Sequence, residues 1–511
     1  MAGTPNMMDG VPRGRGSEDL GKVAEAYFAL PDEIIASNAL RFNPKGNPEG
    51  KLFLGVVGGT VVNDGVLADG RPNRWIDGGV PIGLPDDRHA MTIAGSRAGK
   101  GRSALTPNLI TYPADGSILV IDPKGDLASL TARYRAETLG QKVSVLDPFG
   151  VSGDAAKRYG AVFNPLSLLT SGPEEMLVPN ANLIADALVI PSGGKDMHWD
   201  SCARQMIGGG LCLHVATHPA YIGRRDLVTV WELAAKLGEL DPEDDSKFRL
   251  EAEMEGNQAA GGAVSAAAKA FFGRTGGELA SVRSTLERNL NWISYEPVKR
   301  TLRGPSIDLR TLKTEPRAVY LSLPAMRMHD LAGWMRLVVQ LSLAACESVS
   351  ARPKHPVLFM LDEFNVLGRM QSIETAIAQI AGFGVKLWIV VQDIGQLRQY
   401  PNWETFVANS GVLQCFGNND MATLDYLSRQ LGNTQVLNPS VSAPTYDAAV
   451  QQAASGQSWS IGSHPLLSPN EIAALFGRDD PQMRQLVLRP GRLPLILQRV
   501  FYDKHSLLRR L

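Results

Sequence analysis

The sequence predicts an α/β fold with a mostly parallel, doubly wound sheet and an inserted all-α segment. Residues 91–150 alternate apolar, strand-like runs with helix-like stretches, an order typical of parallel sheets flanked by helices. The same alternation resumes near residue 316. Between these two parts, strand signals nearly vanish and helical patterns dominate residues 165–315.

Composition indicates a globular chain whose net charge does not identify a partner. At 511 residues the chain is too long for one compact core, so we expect two or three domains. The 51 Lys and Arg residues balance 52 Asp and Glu residues, which neither supports nor excludes nucleic-acid binding. The four cysteines lack C-x-x-C spacing and the eight histidines lack ligand spacing. We therefore expect buried free thiols in a reducing compartment, not disulfides or a zinc site.

The first 90 residues predict a flexible arm followed by a small β-rich segment. Residues 1–20 are polar and carry Gly and Pro, and residues 17–35 form a helical pattern broken by Pro31. Residues 43–90 are rich in Gly, Pro, Asp and Asn around short apolar runs, which is typical of short strands joined by turns. No apolar run in the chain reaches the roughly 20 residues that a bilayer requires, so we expect no integral membrane segment.

A glycine-rich loop at residues 91–103, MTIAGSRAGKGRS, predicts a phosphate-binding turn between a strand and a helix. In such a turn, successive N–H groups point inward and the helix N-terminus adds partial positive charge. The residues predicted to bind phosphates are Gly95, Ser96, Arg97, Ala98, Gly99, Lys100, Gly101, Arg102 and Ser103. Lys100 is predicted to reach the β- and γ-oxygens.

The loop departs from the G-x-x-x-x-G-K-S/T pattern at two positions. Ala94 holds the first glycine position, and Gly101 stands where a magnesium-binding hydroxyl belongs. Ser103, Ser96 or water could supply the missing ligand. On this stretch alone, an ordinary glycine-rich turn is the alternative interpretation.

Two carboxylates end the most apolar of the predicted strands. Residues 357–364 read VLFMLDEF, and five consecutive apolar residues predict a strand buried on both faces. Open α/β sheets bind ligands at the carboxyl ends of their strands. We therefore predict that Asp362 holds Mg²⁺ through water and that Glu363 polarises an attacking water. Two surface carboxylates are the alternative.

Three more polar residues follow predicted strands. Gln392 follows residues 385–391 and, if that strand neighbours the acidic one, would sense a γ-phosphate or orient water. A plain strand cap is the other interpretation. Asp122 and Lys124 follow residues 118–121 and are either near-site residues or structural turn residues.

The inserted segment carries a group of basic side chains, and the tail carries a helix-start signal. The basic residues are Arg283, Arg288, Lys299, Arg300 and Arg303. We interpret them either as a functional basic cluster or as a solvated helix face. Residues 433–463 predict a loose loop. Ser468 with Glu471 predicts a capping box that starts a helix, and two short strands are predicted after it.

These patterns divide the chain into four predicted parts. They are an N-terminal arm with a small β-rich segment (1–90), a first nucleotide-binding part (91–165), an inserted all-α domain (166–315), and a second nucleotide-binding part with the tail (316–511).

Taken together, the stretches resemble the coupling-protein ATPases of bacterial type IV secretion and conjugation. The matching pieces include AGSRAGKGRSALTPNLI, SILVIDPKGDL, HWDSCARQMIGGGL, SVRSTLERNL, AVYLSLP, FMLDEFNVLGRM, GFGVKLWIVVQDIGQLRQYP and HPLLSPNEI. They follow one collinear order over residues 95–500. The family commonly carries a G-K-G variant of the loop, so Gly101 matches it.

The resemblance implies a RecA-like P-loop NTPase fold with an inserted all-α domain, and ATP and Mg²⁺ as cofactors. By position, Lys100 corresponds to the phosphate lysine, Asp362 and Glu363 to the magnesium and water-polarising acids, and Gln392 to the glutamine of the third motif. The resemblance also implies a ring, usually of six subunits, with ATP sites between neighbouring subunits. Arg398 and Arg429 are candidates for the arginine that reaches the neighbouring ATP, with surface charges as the alternative.

The implied function is to receive relaxase-bound DNA or a protein substrate and deliver it to the secretion channel. Typical members begin with transmembrane helices, so a chain without them either needs a separate inner-membrane partner of the secretion system or belongs to a soluble branch. We expect a cytoplasmic location, free or peripheral at the cytoplasmic face of the inner membrane. The alternatives are a substrate receptor with little ATPase activity and a related DNA translocase for chromosome or plasmid movement.

Overall fold

A computed structural model of the chain describes residues 26–68, 70, 72–192, 196–237, 246–442 and 456–509. The predicted flexible arm at residues 1–20 lies outside these ranges. So does much of the helix pattern at residues 17–35, of which the helix Pro31–Ala36 is described.

Eleven of the described strands form one sheet, and two separate hairpins account for the other four. The strands are β1 (Leu52–Val57), β2 (Thr60–Val66), β3 (Pro72–Asp77), β4 (Val80–Leu84), β5 (His89–Ala94), β6 (Ile118–Pro123), β7 (Lys142–Leu146), β8 (Arg317–Leu323), β9 (Val357–Leu361), β10 (Val385–Val391), β11 (Ser410–Phe416), β12 (Asn433–Ser442), β13 (Gly456–Pro465), β14 (Arg484–Leu488) and β15 (Leu495–Gln498).

The order of the large sheet is β4-β1-β15-β14-β11-β5-β10-β9-β6-β8-β7. The seven strands from β11 to β7 are parallel, and the other four pair antiparallel. Strands β5, β9 and β10 are buried along their whole length, because helices cover both faces of such a sheet. This arrangement confirms the predicted α/β fold with a mostly parallel sheet.

The centre of the sheet brings the two predicted motifs together. Strand β10 lies between β5 and β9, with Val391 opposite Ile93 and Ile389 opposite Leu361. Parallel neighbours end at the same edge, so the phosphate-loop candidate, the acid pair and Gln392 all leave the sheet on one side. The expected adjacency of the acidic strand and the strand before Gln392 is confirmed.

The β-rich residues predicted over 43–90 divide between two sheets. Strands β1 and β4 extend the antiparallel side of the central sheet, and β2 and β3 form a separate hairpin. Strand β1 joins the main sheet because its six residues, LFLGVV, are all buried. In β2, by contrast, five of the seven residues are exposed.

Helices connect and cover the strands. They are α1 (Pro31–Ala36), α2 (Thr106–Thr111), α3 (Asp126–Glu137), α4 (Gly153–Lys157), α5 (Ser167–Thr170), α6 (Leu177–Leu188), α7 (Met197–Gln205), α8 (Leu213–Thr217), α9 (Leu227–Lys236), α10 (Ser246–Gly256), α11 (Ala259–Phe272), α12 (Gly276–Leu290), α13 (Glu296–Leu302), α14 (Ala332–Ser348), α15 (Gln371–Ile380), α16 (Glu404–Ala408), α17 (Met421–Leu431) and α18 (Pro469–Leu475). Helices α4–α13 lie between β7 and β8, where the described residues contain no strand. The exact bounds of an inserted domain stay a prediction.

Two predictions for the C-terminal part have different outcomes. The loose loop expected over residues 433–463 is wrong for the described residues, since β12 and β13 pair antiparallel from Asn433 opposite Pro465 to Ser442 opposite Gly456. A two-stranded ribbon needs backbone pairing more than an apolar core, which explains why composition missed it. The capping box is confirmed, because Ser468 and Glu471 bond each other's backbone N–H at the start of α18.

Within the described ranges, no helix is long and apolar enough to cross a bilayer.

Candidate nucleotide-binding site

The loop after β5 has the backbone shape of an anion-binding turn. Arg97 (φ 56°) and Gly99 (φ 85°) are left-handed, and Lys100 is right-handed with φ −52°. A left-handed residue followed by a right-handed one turns successive N–H groups toward one side, which forms a concavity for anions. A π-helical turn, Gly101–Leu105, then leads into α2. The loop can therefore cradle a phosphate chain with backbone N–H groups.

Close backbone packing explains the glycine that begins the loop. A Cβ at Gly95 would overlap the carbonyl oxygen of Gly417, and a Cβ at Gly417 would overlap the Cβ of Ala98. Gly95 N–H also donates to Phe416 O at 3.2 Å. The turn after β11 thus packs directly against the phosphate loop, and this contact fixes the position of the loop.

We expect Gly95→Ala to lower the free energy of unfolding by about 1–3 kcal/mol, because the added methyl group has no room. Gly101→Ala is the matched control, since a Cβ there meets nothing within 4 Å, and alanine favours the helical turn by up to about 1 kcal/mol. Thermal unfolding of both variants measures the difference. Equal midpoints for Gly95→Ala and the wild type would show that the loop is not held at this contact.

The lysine of the loop contacts both predicted carboxylates. Lys100 Nζ lies 2.7 Å from Asp362 Oδ1 and 2.6 Å from Glu363 Oε1. Desolvation favours the neutral amine, but the attraction of the two carboxylates outweighs it and raises the pKa of Lys100. Burial raises the pKa of Asp362, against the lowering effect of Lys100. Two parts of the chain that are about 260 residues apart in sequence therefore meet at one point of the sheet edge.

Glu363 is held in an unusual backbone conformation by its neighbours. It is left-handed, with φ 54° and ψ 47°, a region that costs a non-glycine residue about 1–2 kcal/mol. Gln392 Nε2 donates to both carboxylate oxygens of Glu363 at 3.1 Å. A strained backbone at a residue whose carboxylate is also oriented by a second side chain is typical of a functional position.

Sequence reasoning missed a residue that positions Gln392. Asn418 Nδ2 donates to Gln392 O at 2.9 Å, and Asn418 is buried. Asn418 lies two residues after the end of β11, so a search for polar residues within two positions of a buried strand's end could have identified it.

Arg499 is a second residue that the sequence did not reveal. Its guanidinium is buried and donates to Ala98 O in the phosphate loop at 2.8 Å. It also lies over the Phe416 ring, 4.8 Å from the centroid. Burial lowers the pKa of Arg499 to about 10. No local pattern marks an arginine whose partner is 401 residues away in the chain.

Some predicted loop residues point away from the concavity. The Arg102 guanidinium pairs with Asp503, with Nε 2.6 Å from Oδ1, and lies 4.1 Å from the centroid of the Phe501 ring. Ser96 and Arg97 are exposed, whereas Ser103 is buried and its hydroxyl donates to Gly99 O at 2.9 Å. The N–H of Ser103 also donates to Gly99 O, at 2.9 Å, so both the hydroxyl and the N–H of Ser103 are used within the loop.

Asp122 is a structural residue in this fold. Its carboxylate accepts the N–H groups of Leu127 at 3.1 Å and Ala128 at 2.7 Å, at the start of α3. Burial nevertheless outweighs these donors and raises the pKa of Asp122 to about 7. The turn interpretation therefore fits Asp122. Lys124, with φ 93°, lies in the same turn.

We expect Asp122 to lower the stability of the chain as the pH rises from about 4 to about 7. Since the folded pKa of about 7 exceeds the reference value of 3.8, the folded state keeps a proton that the unfolded state loses. The slope is at most about 1.4 kcal/mol per pH unit. Asp122→Asn mimics the protonated acid. The thermal midpoint of this variant should therefore rise relative to that of the wild type as the pH increases. A constant difference between the two midpoints would contradict this account.

Two curated relatives resemble the chain along most of its length. It is 28% identical over 419 residues to the conjugal transfer protein TraG of Escherichia coli, covering 76% of this chain and 62% of TraG. It is 28% identical over 453 residues to protein VirD4 of Agrobacterium fabrum, covering 86% of this chain and 62% of VirD4. The chain thus spans about three fifths of the length of these two relatives.

Solved structures share the fold. The bacterial conjugative coupling protein TrwBdeltaN70, in an unbound form, aligns with a TM-score of 0.60 and 16% identity over 90% of this chain and 98% of that chain. The plasmid coupling protein TrwB in complex with ADP and Mg²⁺ aligns with a TM-score of 0.56 and 16% identity over 88% and 96%. These similarities confirm the predicted RecA-like P-loop NTPase fold.

The family expectation is confirmed by a match that covers nearly the whole chain. A sequence model described as Type IV secretory system Conjugative DNA transfer matches residues 57–509. These residues include the loop around Lys100, the acid pair and Gln392. The chain belongs to the Type IV secretory system Conjugative DNA transfer family.

Proposed function

We propose that this chain binds ATP with Mg²⁺ at the sheet edge described above and hydrolyses it. The observation that carries the proposal is the contact of Lys100 Nζ with Asp362 at 2.7 Å and with Glu363 at 2.6 Å. A P-loop ATPase needs a phosphate-binding lysine beside a magnesium-binding acid and a residue that orients water. The plasmid coupling protein TrwB has been solved in complex with ADP and Mg²⁺, which agrees with this assignment.

The residues present fit such a ligand. The Lys100 ammonium and the loop N–H groups that do not bond the protein itself would hold the phosphate chain. The N–H groups of Gly95, Ala98 and Ser103 already donate to backbone carbonyls. Asp362 would hold Mg²⁺ through water, and bound Mg²⁺ would neutralise charge on the β- and γ-oxygens. With its side chain 19% exposed, Glu363 can meet a water molecule, orient it and accept its proton.

Gln392 has a positioning role in this proposal. Its Nε2 group bonds both oxygens of Glu363, and its own backbone carbonyl is held by Asn418. If loss of the γ-phosphate moved Glu363, Gln392 would move with it, and so would the residues that follow β10 and β11. This chain of contacts offers a route from hydrolysis to motion of the neighbouring elements.

We further propose that hydrolysis serves a coupling protein of a type IV secretion or conjugation system. In this role the chain receives relaxase-bound DNA or a protein substrate and hands it to the secretion channel, with inner-membrane components of that system as partners. Family membership and the likeness to TraG and VirD4 support this role. A homo-oligomeric ring, usually of six subunits, belongs to the same proposal, and the exposed Arg398 and Arg429 stay candidates for the residue that acts across the subunit interface.

The basic group in the helical region contributes little support for direct DNA binding. Arg288 pairs with Asp200 at 3.1 Å and Arg303 with Glu232 at 2.8 Å. Lys299 Nζ lies 4.6 Å from the Trp231 ring centroid. These partners favour the interpretation of a solvated, paired helix face.

A substrate receptor with little ATPase activity is the second candidate, and one observation favours it. Gly101 supplies no hydroxyl for Mg²⁺, and the space beside its Cα is open to 4 Å. Such a receptor would bind ATP to set its oligomeric state and would recruit cargo without turnover.

Phosphate release by the purified chain with ATP and Mg²⁺, with and without single-stranded DNA, distinguishes the two candidates. The motor proposal expects release well above that of Glu363→Gln under both conditions. Release no higher than that of Glu363→Gln, together with intact ATP binding, would refute the motor and favour the receptor.

A further inference from the structure

A histidine-rich cluster lies in the helical region, away from the nucleotide site. His214 is on α8, and His218 follows the last residue of that helix. Residues four apart lie on one face of a helix. Glu253 on α10 completes the group, and one potential ligand atom from each residue lies within 4.8 Å of the others. The expectation that no histidines have ligand spacing overlooked this pair.

The buried histidine of the cluster has a free ring nitrogen. His214 is fully buried, and among the described residues its Nε2 atom has no hydrogen-bond partner. Its Nδ1 atom contacts Asn257 Nδ2 at 3.2 Å. Leaving a buried polar atom unpaired costs free energy, so such an atom calls for a ligand or another explanation.

The two other members have ligand atoms to offer and are less deeply buried. His218 Nδ1 accepts the N–H of Ala220 at 3.4 Å, which leaves Nε2 available. His218 and Glu253 are partly exposed, so an ion could reach the cluster from solvent. Two imidazoles and one carboxylate form a donor set typical of Zn²⁺ sites that keep a fourth position for water.

We propose that His214, His218 and Glu253 bind one Zn²⁺ ion that joins α8 to α10. Mg²⁺ is a poor fit, because it prefers oxygen ligands in octahedral geometry. The ion would connect two helices that α9 separates in the sequence. The inference does not depend on the proposed ATPase function. The alternative is a metal-free aromatic cluster, in which His214, His218 and Tyr221 pack with ring centroids 4.9 to 5.7 Å apart.

Asn257 gives the proposal a specific requirement. For Nε2 of His214 to bind a metal, Nδ1 must carry the proton and donate it to an acceptor. The Asn257 amide would have to turn by about 180° to present Oδ1, an exchange of oxygen and nitrogen that changes little in shape. In its present orientation Oδ1 accepts Ala259 N–H at 3.0 Å. Asn257→Asp supplies an acceptor to both groups, so this variant should bind Zn²⁺ more tightly than the wild type.

Competition with a chromophoric zinc chelator tests the proposal on the full chain, after metal removal and in excess Mg²⁺. We expect one Zn²⁺ per wild-type chain and an affinity at least about 10-fold lower in His218→Gln and in Glu253→Gln. Both substitutions are at partly exposed positions, so the variants should fold. Zn²⁺ should raise the thermal midpoint of the wild type and not of these two variants.

His198→Ala is the matched control. His198 lies in the same helical region, with Nε2 3.7 Å from Cys202 Sγ and 3.7 Å from Glu278 Oε1. Its replacement should leave zinc affinity unchanged. Equal affinity in the wild type and His218→Gln, or loss of binding in His198→Ala, would overturn the proposal. Nucleotide binding by Glu253→Gln should match that of the wild type. A failure of the zinc proposal can therefore be distinguished from a failure of the proposed nucleotide site.

Discussion

Lys100→Ala is expected to weaken ATP binding by at least about 100-fold, because the variant loses a charge-assisted contact with the phosphates in a partly buried site. It should also lower the free energy of unfolding without nucleotide by about 1–3 kcal/mol. The physical reason is that Asp362 and Glu363, whose side chains are 12% and 19% exposed, lose their shared cation. Titration with a fluorescent ATP analogue and thermal unfolding measure the two effects.

Lys354→Ala is the control for that variant. Lys354 is exposed and pairs with Asp115 at 2.8 Å, so its removal should change stability by no more than about 0.5 kcal/mol. It should leave ATP affinity as it is. If Lys100→Ala bound ATP as tightly as Lys354→Ala does, the phosphates would lie elsewhere on the chain.

Glu363→Gln is expected to reduce ATP hydrolysis by about 10²- to 10⁴-fold, because an amide cannot accept a proton from the attacking water. ATP affinity should stay the same or rise, since one negative charge is removed from beside the triphosphate. Lys100 keeps its contact with Asp362 in this variant. Single-turnover phosphate release, measured beside ATP binding, separates the chemical step from binding.

The matched control for this substitution is Glu347→Gln, at an exposed position on α14. It makes the same chemical change away from the sheet edge and should hydrolyse ATP at the wild-type rate. Wild-type turnover in Glu363→Gln would remove Glu363 from the chemistry, even if ATP still binds at Lys100.

The sequence predicted the centre of the fold because two kinds of signal agree there. Runs such as VLFML and VKLWIVV match β9 and β10 residue for residue, since strands buried on both faces are predominantly apolar. Lys386 is the one charged residue in these two strands. The polar residue after each strand then marks the ligand-binding edge. For that reason Lys100, Asp362, Glu363 and Gln392 could be placed together without coordinates.

The supporting contacts could not be predicted, for physical reasons. Arg499 and Gly417 act on the phosphate loop through tertiary contacts between distant parts of the chain, and neither leaves a periodic signal. The β12–β13 ribbon depends on backbone pairing, which the polar side chains of residues 433–463 do not reveal. The antiparallel strands β1, β4, β14 and β15 join the central sheet through a pairing order that short apolar runs cannot specify.

The most direct test of the central claim is an experimental structure of the chain with a non-hydrolysable ATP analogue and Mg²⁺. We expect Lys100 Nζ to leave the two carboxylates and bond the β- and γ-phosphate oxygens, with Mg²⁺ linked to Asp362 and a water molecule beside Glu363. An analogue bound elsewhere, with Lys100 still in contact with both Asp362 and Glu363, would contradict the claim that these residues act on one nucleotide.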